Sequence, residues 1–555
     1  MADLPVGTFR LEFSKAGFAN LTFTEVKQEV GQTRTLDAAL DLAGKTEQAT
    51  VNESMVQLDR VDATLGSTVE VKQVEELPIN GRNWATLTTL VPGATDAGAG
   101  DQRTIRFVGH GLDDNNLTLD GVDATAVFNQ EQREYVRLTI PLDSIEEFDV
   151  KAQTFGADVE GGTAGAQVSV VSPAGTNAFH GSVFDYFRNN DIEARSPFDG
   201  TSPNPFLLNQ FGGSFGGPIV KNKLFFYANY EGLRQNLGQT FINFVPNAAF
   251  RAQVLAKSPV LKPILDAYPI GQTPIDSITD QVTKVATDTI REDAGMFRFD
   301  YRFSDKTTAF ARYNVDNAYI DVPTDALGTH NVIPHIPTNF VLSLQHIFSP
   351  STVNETKFGV NRANYHNFTY GTAPVAVSPG PFDGVVDTSL DTEVGTTFSY
   401  IDNLTLVRGR HTFKTGVDIR RIRLNNSGNT LTTSSLSYDT ATDFINNTAA
   451  SATYLQGEGV VGNRRTFYQA YVQDEFKATP NLTLNLGLRY EYYSVVHEIL
   501  NRSAVVDILG CGGYCPKGTP YYDPNTKDFG PRVGLSWAPA MFKGKTTIRA
   551  GFGIY

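Results

Sequence analysis

Cysteine and methionine are nearly absent, two and four in 555 residues. No apolar run approaches the roughly 20 residues of a membrane-spanning helix, which argues against a helical membrane protein. Basic residues are outnumbered, 46 Lys and Arg against 60 Asp and Glu, for a formal net charge of −14. A nucleic-acid binder needs a basic face, so that class is excluded. "GGSFGGP" at 212–218 lacks the Lys-Ser/Thr of a phosphate loop. The start, "MADLPVGTFRLEF", has neither the basic stretch nor the apolar core of a signal peptide. It enters a strand pattern almost at once, and "TTIRAGFGIY" ends inside another. We therefore expect a piece of a longer protein. No catalytic constellation stands out, and neither an enzyme nor a cofactor is expected.

The two cysteines sit together in "CGGYC", Cys511 and Cys515, a candidate disulfide across two glycines that fits an oxidising compartment. No second ligand pair lies nearby, which argues against zinc. What is plentiful is 37 Phe, 22 Tyr and 49 Gly, a composition of strands and turns.

Four regions differ in texture. Residues 1–45 alternate as about three short strands, too few for a sandwich by themselves. Residues 46–75 are polar and poor in aromatics and read as a linker. Residues 76–177 mix short helical and strand patterns. Trp84, Leu87 and Leu90 share one helical face, Asp120-Gly121 signals a hairpin, and "LDSIEEFDVKAQ" reads as a helical turn feeding a strand. From 178 to 555 helical signals nearly vanish, apart from a loop segment at 247–269, and long alternating segments recur.

"NLTLNLGLRYEYY" is typical of these. Leu482, Leu484, Leu486, Leu488, Tyr490 and Tyr492 fall on one parity; Thr483, Asn485, Gly487, Arg489 and Glu491 fall on the other. Tight turns recur near 221–223, 304–307, 349–352, 408–411, 478–481 and 542–546, with long Asn-, Thr- and Gly-rich loops between them. Short turns at one end and long loops at the other describe an outer-membrane barrel of roughly 13 strands in this chain. Lipid then covers the leucines, and Arg489 and Glu491 face a wet lumen.

These residues resemble the TonB-dependent receptors of the bacterial outer membrane, and within them the Oar-like group with a carboxypeptidase-regulatory-like β-sandwich ahead of the plug. "LPVGTFRLEFSKAGF" with "VGQTRTLDAALDL" is similar to the end of that sandwich, and "VEELPINGRNWATLTTLVPG" to the start of the plug. "RFVGHGLDDNNLTLDGVDAT" resembles the plug hairpin. "NQFGGSFGGPIVKNKLFFYANYEGLR", "YVQDEF", "NLGLRYE" and "GPRVGLSW" resemble barrel strands. The resemblance implies a mainly β fold: a transmembrane antiparallel barrel of about 22 strands, of which this chain holds about 13, around a small α+β plug. It implies energy-coupled uptake of an oligosaccharide, an iron chelate or a peptide. It also implies a TonB-type inner-membrane partner that grips a TonB box, for which "KTEQATVNES" at 45–54 is the candidate; a plain linker is the alternative.

The candidate site residues follow from this layout. Arg82, Arg103 and Arg106 of the plug are expected to pair with lumen acids such as Glu491, or else to line a solvated face. Asp120 and Asp123, with Asp113 and Asp114, form an acidic cluster without the calcium-loop spacing, so turn-making and polar contact with the wall are expected of them. Tyr365, Phe368, Tyr370, Tyr521 and Tyr522 are the loop aromatics available to stack on a ligand. A surface-adhesion barrel is the alternative function, but passive display needs no plug of about 110 residues before the first strand.

Overall fold

The computed structural model describes residues 7–28, 38, 40–42, 48–52, 65–69, 73–74, 77, 79–96, 105–111, 115–125, 140–153, 156–159, 165–192, 194, 203–427, 434–454, 459–542 and 546–554. Three sheets carry the architecture. The first holds Gly7–Phe13 antiparallel to Asn20–Gln28, with Gln48–Asn52 parallel to the latter. It packs Leu21, Phe23 and Val26 inward.

The second is a five-stranded sheet in the order Leu65–Val69, Glu147–Gln153, Gln167–Val171, Asn116–Leu119, Val122–Asp123. Its core is its own: Trp84, Phe107, Leu119, Phe148 and Val150 are all buried, with Trp84 edge-on to Phe148 at 5.3 Å. Asn83 caps the helix Trp84–Leu90 by accepting from the Ala85 N–H. That helix is 3-10, so the spacing of three keeps Trp84 and Leu87 on one buried face, while Leu90 at its end is exposed.

The linker expected over 46–75 is corrected here. Gln48–Asn52 extends the first sheet and Leu65–Val69 edges the second, where Val69 and Val74 enter the core. Strands of five residues with one or two apolar positions are too short to register as a period. Gln48–Asn52 is also the middle of the candidate TonB box; 45–47 and 53–54 lie outside the described residues.

The third sheet is the large one. Its path runs β1 (His180–Asn189), β2 (Phe206–Val220), β3 (Leu224–Pro246), β4 (Thr279–Ser304), β5 (Thr307–Pro323), β6 (His330–His335 continued by Thr338–Ser349), β7 (Thr352–Tyr370), β8 (Ser389–Arg408), β9 (His411–Asn426), β10 (Val461–Thr479), β11 (Leu482–Tyr493), β12 (Asp528–Trp537) and β13 (Ile548–Gly553). Each strand pairs antiparallel with the next, and β1 and β13 are the edges. Five of the expected tight turns fall where the parity predicts them. The sixth, between β12 and β13, is a longer connection carrying a helical turn at Ala540–Phe542. Four tight turns carry a register shift just before the chain reverses, as at Lys477/Thr479. Such an extra residue sharpens strand twist at a barrel rim.

The faces of this sheet are inverted relative to a soluble protein. In β11, Thr483, Asn485, Arg489 and Glu491 are buried, while Leu486 and Leu488 are 45% and 43% exposed. Phe297, Leu342, Tyr400, Val417 and Val472 are likewise exposed. An apolar outer face with a polar inner one is stable only against hydrocarbon, where every backbone group must be paired within the sheet.

The outer loops add a second apolar core that alternation cannot reveal. Phe250 on the helix Ala248–Lys257 packs on Phe382 at 4.9 Å, and Tyr438 on Phe444 at 5.1 Å. Val377, Leu327 and Leu265 join them, so four loops fold as one cap. Arg251 fixes it by donating to the carbonyls of Pro246, Leu265, Tyr268 and Pro269.

Candidate functional site

Among the described residues, the five-stranded domain meets the wall of the large sheet through polar side chains at three places. The first is Asp120. It sits at the tip of the hairpin Asn116–Leu119/Val122–Asp123 with φ 53°, the left-handed value that a tight Asp-Gly turn requires. Its carboxylate accepts from Arg312 Nε on β5 at 2.9 Å and from the Ser172 N–H and Oγ–H, each at 2.9 Å. Arg298 on β4 lies 3.7 Å away and also donates to the Ser172 carbonyl. Arg312 further donates to the carbonyls of Leu119 and Asn339. Burial alone would raise the Asp120 carboxyl. The guanidiniums of Arg312 and then Arg298 outweigh that and hold it below the ordinary carboxylate value. Beside it Asn339 and Asn361 donate to the carbonyls of Asp123 and Thr125. Gly359 on β7 faces Val122 so closely that a Cβ there would strike its side chain.

The second place is Arg82. It donates to Asp143 at 2.7 Å within its own domain and to Glu231 on β3 at 3.2 Å. Gln210 on β2 donates to the same Glu231 at 2.6 Å, and the Arg82 guanidinium lies 3.8 Å from the centre of the Phe184 ring. Ser144 and Asn229 exchange hydrogen bonds next to it.

The third place is the loop 156–159, held by β10, β11 and β12. Gln473 accepts from the Ala157 N–H at 2.5 Å, Arg489 donates to the Ala157 carbonyl at 3.2 Å, and Arg532 donates to the carbonyls of Gly156 and Val159. Gly487 is the polar-parity glycine of "NLGLRYE". A Cβ on it would lie 2.6 Å from that of Ala157, so its missing side chain admits the loop.

The expected site residues are thus brought together in part. Arg82, Asp120 and Asp123 all lie at the domain–wall contact. Glu491 is taken by Arg489 of its own strand at 2.5 Å and by Tyr493, so it is not the partner expected for a plug arginine. Arg106 is exposed and pairs with no acid among the described residues; Arg103, Asp113 and Asp114 lie outside them. Tyr365, Phe368 and Tyr370 lie in β7 rather than in a loop. Tyr365 is buried on the inner parity against His335, whereas Phe368 and Tyr370 take the outer parity, where Tyr370 is exposed. Tyr521 and Tyr522 are exposed in the loop 494–527, and this loop also holds the bonded pair Cys511–Cys515. The five aromatics therefore form no single patch. Arg298 and Arg312 were missed, although "FRFDYRFS" already places Arg298 on the polar parity.

A sheet with an apolar exterior, wrapped on a small α+β domain held by charged contacts, defines a plugged barrel of the outer membrane. Residues 171–555 match the family described as outer membrane beta barrel domain, and the chain belongs to that family. A stretch of 244 residues, 41% of this chain and 22% of its relative, is 25% identical to the TonB-dependent transporter Oar of Myxococcus xanthus. The outer membrane transporter YddB from Escherichia coli has the same fold at 12% identity with a TM-score of 0.61, over 90% of this chain and 62% of that one. The siderophore receptor PirA from Acinetobacter baumannii matches with a TM-score of 0.53 at 15% identity, over 90% and 62%. The chain thus spans less than two thirds of these proteins. It is a bacterial outer-membrane protein with the fold of TonB-dependent receptors.

Proposed function

We propose that the chain is part of an energy-coupled outer-membrane receptor that imports a ligand too large or too scarce for passive entry: an oligosaccharide, an iron chelate or a peptide. The observation that carries this is the division of forces. The plug keeps its apolar core to itself, and its contacts with the wall are mainly hydrogen bonds and ion pairs. Water can replace such contacts when the plug shifts, whereas exposed apolar surface would cost about 25 cal/mol per Å². A gate has to separate in this way; a static display barrel does not. The energy comes from a TonB-type partner pulling on a segment ahead of the plug, with 45–54 as the candidate.

The test is deletion of the complete gene in its own bacterium, followed by growth on polysaccharide, on peptides and under iron limitation. The expected result is a defect in one condition that deletion of the TonB-type partner reproduces. Normal growth in all three, with the partner deletion defective, would contradict the proposal.

A further inference from the structure

We propose that the outward face of β7–β10 carries a binding site for the phosphate of an outer-leaflet membrane lipid, built from Arg421, Arg423 and Arg464 and extended by Arg362. The register makes this face continuous. Arg362 lies opposite Thr396, Thr396 opposite Arg423, and Arg423 opposite Arg464. Four residues nearer the tight turns, on the same parity, runs the row Phe358, Tyr400, Ile419, Tyr468 and Tyr492. Tyr400 and Tyr468 are exposed, Phe358 and Tyr400 pack at 5.0 Å, and Tyr468 and Tyr492 stack at 6.1 Å. Aromatic residues of this kind mark where hydrocarbon meets headgroups. Four residues further along a strand is about 13 Å, beyond that boundary and on the lipid side.

Like charges directly opposite on neighbouring strands repel. Among the described residues no acid pairs with either member of the Arg423–Arg464 pair. Among the described residues Arg362, Arg421, Arg423 and Arg464 form no ion pair. Neutral groups fix their positions instead. Arg362 donates to Thr396, Arg421 to Thr466, and Arg464 to Asn425 and the Leu424 carbonyl, while Arg423 lies over the Phe398 ring at 5.0 Å. The acid acting on Arg464 is Glu498, and it is already held by Arg502 and three backbone N–H groups. Four placed guanidiniums that form no ion pair among the described residues, on an otherwise acidic chain, match the geometry of a phosphate. The lipid's acyl chains then lie along the Tyr400–Tyr468 row.

The test uses the purified full-length protein in neutral detergent and native mass spectrometry, with diphosphoryl lipid A and the same lipid stripped of both phosphates as probes. The wild type is expected to retain the phosphorylated lipid at least tenfold better. R421Q/R423Q/R464Q is expected to lose that preference while keeping the wild-type melting profile. Equal retention of both lipids by the wild type, or an unchanged preference in a folded triple variant, would overturn the proposal. If the triple variant does not fold, the wild type's discrimination between the two lipids decides alone.

Discussion

Arg312 Nε and Asp120 Oδ2 are 2.9 Å apart, both side chains are almost wholly buried, and 192 residues separate them in the chain. This pair ties the plug hairpin to β5. Removing one partner leaves the other charge buried and unpaired, which costs about 3–5 kcal/mol. Asp120→Asn should therefore loosen the plug, while R312M together with D120N, which keeps a side chain that suits the left-handed turn, should cost less than the two single changes added together. Protease cleavage of the plug in purified full-length protein measures this. Equal cleavage of wild type and D120N would count against the pair as an anchor.

The same carboxylate sets a pH dependence. Asp120 is held below its ordinary value by Arg312 and Arg298 against the effect of burial. Asp158, which is exposed, is likewise held below it by Lys414 and Lys151. A lowered acid stabilises the docked state fully above its unfolded value, about 4, and that contribution is lost as pH falls through the lowered value. The contribution of these two carboxylates to docking should be flat between about pH 8 and about pH 5 and should be lost below about pH 4. Hydrogen exchange of the plug amides against pH tests this, and a loss of docking near pH 7 would contradict it.

Gly487 and Gly359 admit the plug to the wall. Alanine at either should force the plug away at a cost of about 1–3 kcal/mol. The same changes in a barrel lacking residues 65–171 should be close to neutral. Melting curves of the four proteins separate the cases; equal losses with and without the plug would place the strain in the strand itself.

The outward parity of β11 makes a separate prediction. Leu486→Arg puts a charge on the lipid face and should cost about 2–4 kcal/mol if that position lies near mid-bilayer. Urea titration of folding into lipid vesicles measures it. A change below about 0.5 kcal/mol would mean that Leu486 does not face lipid.

Much of this was legible in the sequence, and the exceptions have causes. Strand parity exposed β11 because its faces alternate without a break from Leu482 to Tyr492. The tight turns were legible because each separates two such runs. The anchor was half legible. Asp120 announced itself by its turn chemistry, but its partners lie on strands 178 and 192 residues away, and alternation says only that Arg298 and Arg312 point inward. Arg82 of the plug meets Glu231 of the wall, an acid other than the Glu491 that was expected, and at Asp120 the polarity is reversed. The outer cap was invisible because Phe250, Phe382 and Phe444 come from three separate loops with no shared period.

On the proposed function, the plug leaves the wall when a TonB-type partner pulls on the segment ahead of it. Ser144 is fully buried against Asn229 in the docked state. In cells carrying full-length Ser144→Cys, labelling by a membrane-impermeant maleimide should be fast when the TonB-type partner is present and energised, and slow when it is deleted. Equal labelling rates in the two strains would mean that the plug does not leave the wall under the partner's pull.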